Sequence, residues 1–210
     1  MHVYQWEPRM FKTLPPPISY PITSGRWTQR MKPGLSVYAD NPWDVTEALI
    51  PLVDFAKVGL KAEGRREDFW KYPIFLKATG GMRELRFDQR EALMYYIREF
   101  FSDKRACPFY FEPSFARVLS GEEEGVYSWT AVNFLQGNLL LETQGAGAVD
   151  ANITYGTLDL GGASTQISFY RRDQDIVANL FKLQVGAQKH FNVYTHSFLY
   201  FGINSARDRM

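Results

Sequence analysis

The amino-acid sequence predicts an α/β protein, and two patterns carry that prediction. Short apolar runs suited to strands, such as residues 74–78 and 181–185, alternate with longer stretches whose apolar residues recur every three or four positions. Residues 157–169 then read as a strand, a Gly-rich turn and a second strand, with one carboxylate, Asp159, at the turn.

Taken in order, His2, Tyr4 and Trp6 alternate with Val3 and Gln5 as they would in a strand. Residues 8–35 are rich in Pro, Ser, Thr and Gly and read as irregular connection. Asn41 followed by Pro42 has the form of a helix cap with proline at the first helical position. Val45, Leu49, Leu52, Val53 and Ala56 continue on one helical face, and Pro51 is expected to kink that helix or to end its first half. Residues 74–78 suit a buried strand leading into a Thr79-Gly80-Gly81 turn. From Asp88 the pattern is helical again, with Glu91 three residues on as in a capping box and Leu93, Ile97 and Phe100 as the inner stripe.

A further strand falls within residues 109–119. A helix beginning near Gly121 is expected to turn Tyr127, Val132 and Leu135 inward. Residues 137–152 are loop-like. Strands flank the Asp159 turn, another covers residues 181–185, and residues 196–210 start a helix. No internal repeat with a period of about 20–50 residues is visible.

The whole chain narrows the function classes. Its 210 residues suffice for one domain with a sizeable core, or for parts of two. Lys and Arg number 24 against 23 Asp and Glu, so no electrostatic nucleic-acid or membrane surface is indicated. The single cysteine, Cys107, reads as a small buried hydrophobe after a helix. No run approaches the roughly 18 consecutive apolar residues of a membrane-spanning helix, and the first six residues lack the basic-then-apolar pattern of a signal peptide. The triplet Asn152-Ile153-Thr154 would permit glycosylation in a secretory compartment, and localisation stays open.

The turn after Asp159 is the chemically richest segment. Glycines let backbone N–H groups approach a phosphate, Ser164 and Thr165 add hydroxyl donors, and a carboxylate beside such a cradle is where a hydrated divalent cation would be held. An ordinary Gly-Gly hairpin is the alternative on these residues alone. Likewise Glu122, Glu123 and Glu124 make either a reactive negative patch or a solvated acidic turn favoured by the helix dipole.

Three segments in order resolve both choices. Residues 77–83 (Lys-Ala-Thr-Gly-Gly-Met-Arg) resemble the second apyrase conserved region. Residues 121–129 (Gly-Glu-Glu-Glu-Gly-Val-Tyr-Ser-Trp) with Asn133 and Phe134 resemble the third, and residues 159–166 the fourth. The chain thus resembles the nucleoside triphosphate diphosphohydrolase (apyrase) family over nearly its whole length. Residues 43–52, 70–85 and 192–199 are similar to family text as well.

This resemblance implies the actin-like (ribonuclease H-like) two-lobe ATPase fold, with a first lobe over residues 1–120 and a second over 121–210, both incomplete. It implies divalent-metal-dependent hydrolysis of nucleoside tri- and/or diphosphates by direct attack of water. Glu124 is the implied base, and Ser164 and Gln166 orient the water. Asp159 would hold Ca²⁺ or Mg²⁺ through water. Gly161, Gly162 and Ala163 would offer amides to phosphate alongside Thr165, and Thr79 and Arg83 would lie near the terminal phosphate.

Gly80 and Ser128 depart from the family's usual alanine and glycine. Tyr200 stands where many disulfide-bonded animal members have cysteine, which points to the plant and protist branch or to a lumenal form without bridges. His2, His190 and His196 show no metal-ligand spacing, His196 reads as structural, and no Ser-His-Asp or Cys-His nucleophile can be assembled.

Family members open with an Asp-x-Gly-Ser-Ser-type loop, and residues 3–6 resemble the strand that follows it. The expectation is therefore a partial chain, lacking the first and fifth conserved regions and inactive alone. Alternatives are a non-catalytic product that binds partners, or another actin-like phosphatase such as an exopolyphosphatase. The resemblance places the full family in the secretory pathway, at membranes or outside the cell. It leaves base preference and oligomeric state unassigned.

Overall fold

The computed structural model describes residues 1–5, 27–62, 68–139, 153–172, 178–185 and 189–210. The chain divides into two compact units. The described parts of Met1–Gln5 and Pro21–Leu119 form the first, and those of Ser120–Met210 belong to the second.

In the first unit, 3₁₀ turns at Leu35–Ala39 and Pro42–Asp44 lead into helix α1, Val45–Ala62. Asn41 precedes that entry without a side-chain capping bond. Pro51 neither ends nor interrupts α1, which is continuous around it. Strand β1 (Leu76–Ala78) is followed directly by a one-turn helix, α2 (Gly80–Arg83), in place of the expected turn. Helix α3 (Phe87–Ser102) returns the chain so that β2 (Ala116–Val118) pairs in parallel with β1, Leu76 opposite Ala116.

The core here is the apolar face that periodicity indicated. Val45, Leu49, Val53 and Ala56 of α1 are buried with Leu93, Ile97 and Phe100 of α3, and Leu52 is only half-buried. The capping box expected at Asp88 does not form. The helix starts one residue earlier with Arg86 as its cap, and the Asp88 carboxylate is taken by the Arg86 guanidinium. Cys107 is fully buried, as expected of a structural thiol, and desolvation pushes its pKa up.

At the amino end, His2 forms an antiparallel bridge to Thr28 and Gln5 is a second bridge position, without a continuous strand over residues 2–5. His2 and Tyr4 do stack on one side. Trp6, most of residues 8–35, and residues 140–152 with the sequon's Asn152 lie outside the described residues.

The second unit is one helix laid on an antiparallel sheet. Helix α4 spans Gly121–Leu135. The strands are β3 (Thr157–Leu160), β4 (Ser164–Tyr170), β5 (Leu180–Val185) and β6 (Lys189–Leu199), in spatial order β3-β4-β6-β5. Residues 196–199 therefore close a strand, and the helix expected from His196 shrinks to α5 at Ile203–Arg207. The period-two burial of Phe191, Val193 and Thr195 explains the difference, since alternate side chains must face the helix.

The face of α4 that meets the sheet is also not the expected one. Tyr127 and Leu135 are exposed and Val132 is half-buried, while Gly121, Gly125, Trp129 and Asn133 point inward at every fourth position. Small and polar residues define this contact because the sheet beneath it is partly polar. Trp129 stacks on Phe191 at 5.4 Å over the apolar end. Over the other end, Gly125 rests on the hydrogen-bonded hydroxyls of Ser168 and Thr195, 2.7 Å apart and buried.

Candidate active site

In the second unit, polar side chains of β3, β4 and β6 lie beside the first turn of α4. Ser120 caps the helix by accepting from the Glu123 amide, and the Glu123 carboxylate accepts from the Ser120 N–H, both at 3.1 Å. The three consecutive acids thus separate in role. Glu123 completes the cap, and Glu124 is half-buried and turned toward the sheet, with its Oε2 3.4 Å from Gln166 Nε2.

Strand register supplies the rest. Asp159 on β3 is the direct partner of Gln166 on β4, and Gln166 is the direct partner of Ser197 on β6. One transverse row therefore carries a carboxylate, an amide and a hydroxyl on the helix-facing side. Gln166 is 1% exposed and donates to Ser164 Oγ at 2.8 Å and to Ser197 Oγ at 3.0 Å. Its carbonyl oxygen, Oε1, is buried with no hydrogen-bond partner among the described residues. A bare buried carbonyl costs free energy unless something outside the chain donates to it or coordinates it.

The Gly-rich turn closes through Gly161 N–H donating to Ser164 O at 2.9 Å. The Gly161 amide is thereby spent within the turn, so of the three amides expected to face a phosphate, those of Gly162 and Ala163 stand outside that bond. Neither glycine needs a positive φ. Their smallness serves close approach. A Cβ on Gly161 would lie 3.1 Å from Ser164 O, and one on Gly162 would lie 2.9 Å from Asn204 Nδ2. The carbonyls of Gly161, Gly162 and Ala163 accept from Ile203, Asn204 and Tyr200 at 2.8–2.9 Å, and Thr165 Oγ1 donates to Phe201 O at 2.6 Å. The segment after β6 thus braces the turn from behind.

Asn133 fixes the approach to β3. Its side chain is buried and fully satisfied, accepting from Tyr155 N–H at 2.8 Å and donating to Tyr155 O at 3.0 Å and Trp129 O at 2.9 Å. This two-way bond ties α4 to the chain two residues ahead of β3, and hence to Asp159.

Thr79 and Arg83 belong to the first unit. Thr79 is exposed at the start of α2, and its carbonyl accepts from Met82 and Arg83 N–H. Arg83 Nη1 donates to Leu119 O at 3.1 Å, which pins its guanidinium to the end of β2. His196 lies in β6 with Nδ1 3.0 Å from Asn179 Nδ2, a structural placement. Two residues escaped the sequence reading. Ser197 was visible only as the next polar position in the inward alternation after Thr195. Gly125 could have been found from the need for a small residue beneath a helix that crosses polar strands.

Among the described residues no group of three His, Cys, Asp or Glu side chains is placed to hold a metal ion. The Asp159 carboxylate fits a hard divalent cation carried mainly by water and phosphate oxygens. No helix among the described residues is long and apolar enough to cross a membrane.

Residues 1–210 match the family described as GDA1/CD39 (nucleoside phosphatase). Nucleoside diphosphate phosphatase ENTPD5 of Homo sapiens is 34% identical over 211 residues, covering 99% of this chain and 44% of that protein. Ectonucleoside triphosphate diphosphohydrolase 6 of Rattus norvegicus is 34% identical over 204 residues, 94% of this chain and 41% of that one. The chain therefore spans less than half the length of these relatives. A solved structure described as nucleoside triphosphate hydrolases from Neospora caninum aligns with a TM-score of 0.56 at 22% identity, over 77% of this chain and 31% of its own. That likeness carries the fold.

Proposed function

Because the chain belongs to the GDA1/CD39 (nucleoside phosphatase) family, with its actin-like α/β architecture, we propose that the protein hydrolyses nucleoside di- and/or triphosphates. The reaction is attack of water on the terminal phosphorus. The observation that carries this reading is the Glu124 carboxylate held 3.4 Å from the buried amide of Gln166, in the row that also holds Asp159.

Each group has a distinct task. Glu124 accepts the proton of the attacking water, since an ionised carboxylate is acceptor-only and sits at the mouth of the row. Gln166 Oε1 accepts the water's second hydrogen, and Ser164 Oγ holds the same amide by its nitrogen at 2.8 Å. The amides of Gly162 and Ala163 are the ones left to meet phosphate oxygens, while Thr165 Oγ1, bound to Phe201 O, holds the turn. Within the first unit, Arg83 and Thr79 are the groups suited to a terminal phosphate. Asp159 would hold a divalent cation, Ca²⁺ or Mg²⁺, through water. Such a cation supplies charge neutralisation across the phosphate oxygens. The prefix of the relatives called ectonucleoside triphosphate diphosphohydrolases supports a setting in the secretory pathway or outside the cell for this protein.

The test is phosphate release from nucleoside di- and triphosphates by the protein at its natural length, with and without EDTA. Cation-dependent release from nucleotides supports the reading. Release from polyphosphate alone would replace it with an exopolyphosphatase, and no release from any of them would remove it.

A further inference from the structure

Ser197 lies outside the three segments that carry the chemistry, yet it touches the residue at their centre. We infer that Ser197 is a positioning residue that, with Ser164, fixes the place of the Gln166 amide, whose oxygen is thereby held as the vacant acceptor for the attacking water. This rests on the hydrolytic reading above.

Gln166 Nε2 has two hydrogens and three acceptors within reach: Ser164 Oγ at 2.8 Å, Ser197 Oγ at 3.0 Å and Glu124 Oε2 at 3.4 Å. The two hydroxyls are the shorter contacts, so they take the two N–H groups, with the carboxylate at the margin. The hydroxyls belong to different strands, Ser164 to β4 itself and Ser197 to β6. Together they hold the amide from two directions.

Hydroxyls accept or donate equally well, so they fix the amide's place but not its sense. Glu124 fixes the sense, because an ionised carboxylate repels the amide oxygen and attracts the nitrogen. With Nε2 so engaged, Oε1 is left buried and without a partner among the described residues. The amide oxygen therefore has one vacant acceptor role and almost no freedom to rotate. Without Ser197 the amide would keep only Ser164 and the distant carboxylate, and the oxygen would sweep over several orientations.

The experiment compares Ser197→Ala and Ser197→Thr in the protein at its natural length. Ser197→Ala is expected to lower kcat about 10-fold or more with KM within about threefold, in line with the loss of a partner that orients a reacting group. Ser197→Thr is expected to restore most of kcat, since it returns the hydroxyl in a residue suited to a strand.

An activity-independent readout accompanies it. The side-chain NH₂ signals of ¹⁵N-labelled Gln166, assigned by their loss in Gln166→Glu, should exchange slowly with solvent in the parent and faster in Ser197→Ala. Unchanged kcat with unchanged exchange would overturn the inference. So would a loss of kcat matched by a loss of folding that Ser197→Thr fails to repair. If the parent releases no phosphate from any nucleotide, the hydrolytic reading fails, and the exchange of the Gln166 NH₂ still decides whether Ser197 holds it.

Discussion

Gly125 of α4 sits so directly on Thr195 of β6 that a methyl group on its Cα would overlap the Thr195 Oγ1, and it would also lie 2.6 Å from Ser168 Oγ. The residue immediately before it is Glu124. The depth at which α4 beds on the sheet therefore sets how closely that carboxylate approaches Gln166.

Gly125→Ala should accordingly lower stability by about 1–3 kcal/mol, the usual range for overpacking a well-filled contact. Thr195→Ala in the same chain should return part of that loss by removing the obstructing atom. Denaturant midpoints of the two single variants and the double variant measure the coupling. Purely additive losses would show that the helix does not rest on this hydroxyl.

Glu124→Ala should reduce turnover by about 100- to 10,000-fold, the range typical of a positioned general base. Nucleotide affinity measured by calorimetry should stay within a few-fold. Glu124→Gln should be equally slow, because an amide cannot take up the proton. Turnover like the parent's in either variant would remove Glu124 from the reaction.

The brace behind the Gly-rich turn predicts an order of sensitivity. A Cβ on Gly202 would run into the backbone of Gly162 and Ala163, whereas one on Gly162 would meet the far end of the Asn204 side chain. Backbone cannot swing aside and an amide tip can. Gly202→Ala should therefore cost about 3 kcal/mol or more and Gly162→Ala distinctly less, as read by thermal or denaturant unfolding. The reverse order would mean that the turn is not braced by residues 200–205.

Cys107 gives a pH dependence. Burial raises its pKa in the folded protein, so the folded state holds the thiol proton more tightly than the unfolded state. The resulting stability is complete below the unfolded-state pKa and is lost as pH rises through the folded one. Cys107→Ala should flatten the alkaline limb of the stability profile above about pH 8.5. Alkylation of Cys107 at pH 8 should proceed only as fast as local or global opening, so rapid labelling of the native protein would contradict its burial.

The sequence shows where apolar side chains repeat and falls silent where small or polar ones do the packing. The inner stripe of α3 was legible because Leu93, Ile97 and Phe100 are large and evenly spaced. The two strands around Asp159 were legible because a Gly-rich turn parts two β-rich runs. The inward face of α4 was misread because Tyr127 and Leu135 look like core, while Gly125 and Asn133 carry no hydrophobic signal. The capping box was placed at Asp88 on its spacing to Glu91, but the true one is Ser120 with Glu123, where the cap's hydroxyl and carboxylate meet both orphan amides. Motif text pointed to Glu124, Gln166 and Asp159 individually. Only the pairing of strands reveals that Asp159, Gln166 and Ser197 share a row.

That row makes the chemistry a test of parity. Side chains in a strand alternate between faces, so shifting β4 by one residue would turn Gln166 outward and send Ile167 or Thr165 to the helix side. A chain folded with odd slippage would be wrong in its core and inert in the same stroke, whereas an even slip would preserve the pattern of faces but misalign the partners. An odd slip would thus disturb packing and the row together, and an even one the row alone. Correct assembly and competence are read from a single line of three side chains.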